Sequence, residues 1–503
     1  MPSFVRPWKS PVAFWVDYWD MRKFTHCLCV IFVSCMACAQ ELASPESQGI
    51  SSAAIERWID ACENELDAVH GFVIRRHGRV IAEGSWEPFD TLNEPHMLYS
   101  HSKAFTATAI GFLVDDGKID LDERVVDIFP GQTPENPSEN LRQLRVRDLL
   151  TMNVGASFTD AETKDICGDW VKAFLSNDIE QKPGTVFKYD SCATFVLSAI
   201  VKAKSGEDLM DLLEKRLFMP LGFGAHWSGT APDGTACGGW GMNMTTRDLS
   251  KFGQLYLDKG VWQGRRILSA EWVALAMARQ TWSGAIAVAG EDGSDWHQGY
   301  GFQFWRCRHG AYRADGAAGQ LTVVLPEKDA VVSIHAGLKD MQRELDVIWE
   351  HLLPAFTDEP LKENDVAVEK LRARCKSLKI LPMVDCSINQ GELPPDCPVS
   401  ENPFGFVRPS VSRTECGWQI AENGLCLSVG RGEWSVGEWE FTKDRVEPLF
   451  ALTSTRKIAI SGVMATNDLL KVRWYVLGGI QNGTFLCSGR RLDVGDSSDI
   501  LRP

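Results

Sequence analysis

No stretch of this 503-residue chain is apolar for long enough to cross a membrane; the best candidate, Cys27–Val33, is far too short. Positive charge is in deficit, with 52 Lys and Arg against 67 Asp and Glu and a net charge of −15. That balance argues against a nucleic-acid-binding surface and against a broadly basic membrane-binding face. Of the 15 cysteines, the eleven beyond residue 40 contain no Cys-x-x-Cys pair, so a zinc site of that type is not expected. Internal repeats and low-complexity tracts are also missing.

What is present is an ordinary globular composition, 44% hydrophobic and 24% charged, long enough for two or three domains with full cores. The 18 Trp read as large core residues. Met21-Arg22-Lys23, the apolar run Cys27–Val33 and the small residues ending Ala37-Cys38-Ala39 have the pattern of a secretory signal peptide cut after Ala39. Residues 1–20 then form an upstream extension. A lipidated Cys35 or Cys38 is the alternative. An exported chain meets an oxidising compartment, so one or two disulfides are expected among Cys375, Cys386, Cys397, Cys416, Cys426 and Cys487.

Hydrophobic periodicity predicts a helix over 51–66 and a hairpin over 72–82 with a His77-Gly78 turn. Short helices follow at 146–152, at 195–206, at 208–218 and at 246–257, the last with Thr246 as N-cap. Strands are expected at 301–305, 310–314, 321–325 and 330–334, then a helix over 341–353 stopped by Pro354. Strands at both ends with helices between predict one antiparallel sheet with a mainly helical insertion, an α+β arrangement. A polar linker over 357–364, a helix over 365–378 and a small β-rich region from about 400 complete the chain.

Three stretches can carry chemistry. Ser100-His101-Ser102-Lys103 opens the apolar run Ala104–Val114, so Ser100 and Lys103 share one face of a buried helix start. A serine hydroxyl needs a base to take its proton, and a buried lysine amine can serve. Tyr189-Asp190-Ser191 follows Lys182-Pro183-Gly184 and sits in a loop before the helix expected at 195. Tyr189 near a lysine can share its proton and act as base for Ser100, with Ser191 donating to substrate. The third is Arg313-Ala314-Asp315-Gly316-Ala317-Ala318-Gly319-Gln320, whose small residues let a substrate approach an edge strand. A backbone N–H there, with that of Ser100, would form an oxyanion hole. His101 reads as structural, and His96, His226, His297, His309 and His335 are scattered, so no Ser-His-Asp triad is assembled.

In this order the three stretches resemble the serine β-lactamase and penicillin-binding-protein superfamily, nearest to class C β-lactamase-like esterases and amide hydrolases. The resemblance covers about residues 45–356. Its motifs are Ser-x-x-Lys, Tyr-x-Asn or Tyr-x-Ser, and Lys-Thr-Gly or His-x-Gly. Ser100/Lys103 and Tyr189/Ser191 match the first two. Val114–Asp122, Val146–Met152, Pro220-Leu221-Gly222 and Gly238-Gly239-Trp240 also look familial. The third motif departs: aligning its glycines to Gly316 and Gly319 puts Ala314 where a cation belongs and Asp315 at the Thr position. Arg313 alternates to the other strand face and is not read as a substitute.

The resemblance implies a β-lactamase-like sheet flanked by helices over 40–356; the residue pattern adds a linker and helix over 357–399 and a β-rich accessory domain over 400–503. It implies a serine hydrolase, exported if the signal-peptide pattern holds, cleaving a small-molecule ester or amide through an acyl-enzyme on Ser100. Lys103 and Tyr189 would transfer protons, and the N–H groups of Ser100 and Ala317 would hold the oxyanion. Ser191, Asp315 and Gly316 would contact substrate, without metal or organic cofactor. The alternatives are a D-amino-acid peptidase or transpeptidase on peptidoglycan, and a catalytically silent binding or sensor domain. The C-terminal region would bind carbohydrate or a protein partner, or cap the rest.

Overall fold

Helix α1 (Ser52–Glu65) begins where the Ser51 side chain accepts a hydrogen bond from the Ala54 N–H, an N-cap that satisfies one orphan donor. The hairpin β1 (Val69–Arg76) and β2 (Arg79–Ser85) follows, turned through His77 and Gly78, both in the left-handed region. The computed structural model describes residues 42–156, 168–284, 293–384, 393, 397–400, 402–440, 455–466 and 469–488. The signal-peptide and lipidation readings lie outside these residues, as does Cys386.

Strand β3 (His96–Met97) and a 3-10 turn (Tyr99–His101) lead into α2 (Ser102–Asp115), which is buried along almost its whole length. Helix α3 (Ser191–Ser205) starts four residues earlier than periodicity suggested, because the Asp190 carboxylate caps the Cys192 and Ala193 N–H groups at 2.8 and 3.4 Å. A capping residue outranks the onset of the apolar run in deciding where a helix begins. Strand β4 (Asn243–Met244) pairs with β3. Helix α4 (Thr246–Leu257) is capped by Thr245, not Thr246, and the Thr246 hydroxyl bonds Thr91 instead.

The strands β5 (Trp305–Arg306), β6 (Tyr312–Gly316), β7 (Gln320–Leu325) and β8 (Ala330–Ala336) complete the main sheet, in the order β2-β1-β8-β7-β6-β5. All five pairings are antiparallel, so the first and last strands of the region meet at the sheet centre. The expected strand at 301–305 shrinks to Trp305–Arg306, and the next begins at Tyr312 and runs through Gly316. Strands β7 and β8 are buried on both faces: Val324 and Val331 enter one core, Val323 and Val332 the other. Helix α4 lies so close to the sheet that a Cβ on Gly253 would come within 2.6 Å of Thr322 and Val331.

Helix α5 (Met341–Val347) continues as a π turn to Leu352 and a 3-10 turn to Ala355, and α6 (Asp365–Lys376) follows the linker. A second sheet holds β9 (Ser410–Thr414), β10 (Gly417–Glu422), β11 (Leu425–Gly430), β12 (Ser435–Glu440), β13 (Thr455–Thr466), β14 (Leu469–Val476) and β15 (Asn482–Ser488) around its own apolar cluster. The expected disulfides are not formed among the described residues; Cys397 and Cys487 are buried together in that cluster as hydrogen-bonded thiols. No described helix is long and apolar enough to cross a membrane.

Candidate active site

Ser100 is not inside α2 but in the 3-10 turn just before it. Tyr99 enters that turn at φ +49°. A bulky side chain takes this left-handed conformation only when its surroundings hold it, at about 1–3 kcal/mol. The holding groups are close: the Ser102 hydroxyl donates to the Tyr99 carbonyl at 2.7 Å and accepts from Met242 N at 3.2 Å. The Tyr99 hydroxyl accepts from Gln481 Nε2 at 3.0 Å.

One turn on, Lys103 is 1% exposed, and its Nζ lies 2.9 Å from Ser100 Oγ, 2.9 Å from Ser191 Oγ and 2.7 Å from the Gly239 carbonyl. Three acceptors match the three protons of an ammonium; the neutral amine keeps two of these bonds and turns its lone pair to the third. Gly238 and Gly239 let this backbone slide between α2 and α3, since a Cβ on Gly239 would sit 2.7 Å from the Ser191 carbonyl. The familial Gly-Gly pair was visible in the sequence; its role as the third partner of Lys103 was not.

Tyr189, two residues before α3, is half-buried, stands over Lys103 Nζ at 4.9 Å and hydrogen-bonds Ser100. Burial raises its phenol well above the ordinary value; Ser100 and Arg313 pull it down and Asp315 pushes it up. The free site therefore holds a neutral phenol, not the phenolate expected from a neighbouring lysine, because desolvation outweighs the favourable charges.

The third stretch keeps Arg313 on the strand face away from Ala314, as alternation expects. Arg313 and Asp315 share the face of their partners Val323 and Leu321, which enter the second core. Arg313 Nε bonds Asp315 Oδ2 at 2.6 Å, and its guanidinium lies 4.4 Å from the Trp296 ring and 5.6 Å from that of Trp305. Trp305 in turn stacks on Tyr189 at 5.6 Å. Ala314 faces the core that holds α2 and packs against Tyr189. Asp315 is thus not an open substrate contact: its side chain is 6% exposed and paired. Burial raises its carboxyl above the usual value, opposed first by Arg313 and then by Lys103.

Gly316 packs directly on the Ser100 turn, where a Cβ would come 2.0 Å from the Leu98 carbonyl and 3.1 Å from the His101 N–H. Ala317, the next residue, is exposed at the tip of the turn. Gln320 Nε2 pins the carbonyls of Ala317, Ala318 and Ala336 at 3.1, 3.3 and 2.6 Å. Ser191, through Lys103, and Gly316 therefore reach the Ser100 turn from two separate elements, α3 and the β6–β7 hairpin that carries Ala317.

The histidines are not all scattered. His70 Nδ1 meets His96 Nε2 at 3.0 Å, His96 stacks on His335 at 4.5 Å, and His335 Nδ1 meets Gln320 Oε1 at 2.9 Å. His101 Nδ1 meets the Gln320 carbonyl at 3.2 Å. Burial holds them neutral, with His96 lowered to about 4 and His101 to about 3. They form a buried polar layer behind the nucleophile turn; their sequence separation, 70 to 335, hid it. No described group of His, Cys, Asp and Glu has the arrangement of a metal site.

Comparison with known proteins agrees with this geometry. The chain is 31% identical over 254 residues to penicillin-binding protein 4 of Amycolatopsis lactamdurans, covering 44% of this chain and 65% of that one. It is 27% identical over 293 residues to a 6-aminohexanoate-dimer hydrolase of Paenarthrobacter ureafaciens, covering 53% and 72%. A Bacillus anthracis structure provisionally named a 6-aminohexanoate-dimer hydrolase shares the fold, with TM-score 0.50 and 19% identity over 66% of this chain and 87% of that one. The Beta-lactamase family model matches residues 59–352, across the main sheet and all three site stretches, and the chain belongs to that family.

Proposed function

We propose that this chain is an exported serine hydrolase that cleaves a small ester or amide through an acyl-enzyme on Ser100. The observation that carries the reading is Lys103 Nζ, 2.9 Å from both Ser100 Oγ and Ser191 Oγ in a buried setting. In the neutral amine, two N–H groups keep Ser191 Oγ and the Gly239 carbonyl, and the lone pair receives the Ser100 proton as Oγ attacks the substrate carbonyl. The N–H groups of Ser100 and Ala317 hold the developing oxyanion, a contribution of about 3 kcal/mol per donor. Tyr189, a neutral phenol bonded to Ser100, gives its proton to the leaving group and recovers one from Lys103 through the Ser100 site. Water then attacks the ester of Ser100 by the reverse relay.

The relatives' names include a 6-aminohexanoate-dimer hydrolase and D-aminopeptidases of Cereibacter sphaeroides, which favours an amide substrate. The Arg313 charge is balanced by Asp315 at 2.6 Å, which leaves a poor receptor for a substrate carboxylate. That argues against peptidoglycan stems and β-lactams.

A fluorophosphonate probe tests the reaction class. Wild type is expected to label at Ser100 and Ser100→Ala not to label; an unlabelled wild type, or equal labelling of both, would falsify it and favour a silent binding domain. A screen of p-nitrophenyl esters, D-amino-acid amides and a chromogenic cephalosporin sorts the substrate. N-terminal sequencing of the protein recovered outside the cytoplasm tests export.

A further inference from the structure

We infer that Gln481, on the loop joining β14 and β15 of the C-terminal sheet, is a positioning residue for Ser100 acting through Tyr99. The inference rests on Ser100 as nucleophile. It gives the C-terminal sheet a part in the reaction in place of carbohydrate binding or simple capping.

The loop is built against the nucleophile turn. Its Gly478 carbonyl accepts from the Met97 N–H at 2.9 Å, and Gly478, at φ +79°, lies so near Pro95 that a Cβ would be 3.2 Å from that carbonyl. The Gln481 carbonyl accepts from Val476 N at 2.8 Å, which closes the loop on itself. Tyr475, at the loop's root, meets Phe89 edge-on at 5.7 Å, and Lys457 pairs with Glu94 at 2.5 Å. On this platform Gln481 Nε2 reaches the Tyr99 hydroxyl at 3.0 Å.

Tyr99 is the residue whose strained backbone aims Ser100. It is 5% exposed and held at φ +49°, and its ring fixes the peptide that precedes the nucleophile. A strained turn relaxes unless neighbours over-determine it. A shift of about 1 Å at a nucleophile costs on the order of 100-fold in rate. The Gln481 bond is the tether at the far end of that ring. Gln481 itself is exposed, so replacing it opens no cavity.

The test uses the full chain in five forms: wild type, Gln481→Leu, Tyr99→Phe, the double variant, and Gln481→Glu, whose carboxylate can still accept from the Tyr99 hydroxyl. The readouts are the second-order rate of fluorophosphonate labelling at Ser100, the kcat and KM on a p-nitrophenyl ester, and the urea midpoint. The expected result is about a 10- to 100-fold slower labelling and lower kcat in both single variants, with KM and urea midpoint close to wild type. The double variant should be no worse than the singles, because both remove one bond, and Gln481→Glu should recover most of the rate. Wild-type labelling rates in Gln481→Leu, additive losses in the double variant, or a loss that follows the urea midpoint would overturn the inference while leaving Ser100 as nucleophile. An unlabelled wild type would overturn both.

Discussion

Arg313 and Asp315 close a buried ion pair at 2.6 Å on the strand face opposite Ala314, close enough for both charges to act on Tyr189. The pair occupies the stretch where the third motif of the resemblance would place a cation. It sets the electrostatics of the candidate site: one positive and one negative charge, both acting on Tyr189.

Breaking that pair should change both stability and selectivity. Asp315→Asn leaves the guanidinium uncompensated in a dry site, which costs about 3–5 kcal/mol. It also leaves that positive charge unbalanced near Tyr189. Thermal unfolding should fall by several degrees, while kcat/KM for substrates bearing a carboxylate rises relative to neutral amides. An unchanged ratio would mean that Arg313 does not address substrate.

Lys103→Met keeps volume but removes the base and its three hydrogen bonds. Labelling of Ser100 and hydrolysis should both fall by about 10²–10⁴-fold, the usual weight of general base catalysis. Stopped-flow labelling and steady-state kinetics measure this; retention of a tenth of the activity would remove Lys103 from the role of base.

Tyr189→Phe should discriminate between leaving groups. A p-nitrophenolate leaves without a proton, so its release should slow less than tenfold, whereas amide hydrolysis should lose about 10²–10⁴-fold. The two kcat values decide it. Equal losses on both substrates would assign Tyr189 to activating Ser100 instead.

Gly316→Ala places a Cβ 2.0 Å from the Leu98 carbonyl, a backbone atom that cannot step aside alone. The Ser100 turn must then move away from Ala317. Activity should fall at least 100-fold, with a lower melting temperature. A fully active alanine variant would show that the two amides need not be adjacent.

The histidine layer predicts acid sensitivity. His96 and His101 are neutral when folded, lowered to about 4 and about 3, while unfolded histidine titrates near 6.5. The unfolded chain therefore binds more protons below pH 6.5, so full stability holds above that value. It is lost as pH falls through the window from about 6.5 to 4 for His96, with His101 extending the loss to about 3. His96 alone accounts for a loss on the order of 3 kcal/mol. Urea midpoints at pH 7.5, 6, 5 and 4.5 should decline steadily, and His96→Gln should flatten the slope. A flat profile would mean that the layer is hydrated or already charged.

The β-lactamase-like antiparallel sheet, the buried helix behind Ser100 and the Ser-x-x-Lys and Tyr-x-Ser spacings were legible in the sequence. Each depends on local patterning: short apolar runs bounded by turn residues for β7 and β8, an unbroken apolar run for α2, and one helical turn between Ser100 and Lys103. Element boundaries were less legible where a cap decides them, as at Asp190 and Thr245. Helix start follows one side-chain hydrogen bond there, which hydrophobic periodicity does not register.

By itself the sequence determined the candidate residues for chemistry and the sheet that holds them, because these follow from spacing and burial pattern. Only the tertiary structure decided the protonation of Tyr189, the third partner of Lys103 at Gly239, the histidine layer and the reach of Gln481 to Tyr99. Each of these is a meeting of residues far apart in the chain. Desolvation and charge act through space and fall off over a few ångströms, so sequence separation carries no information about them.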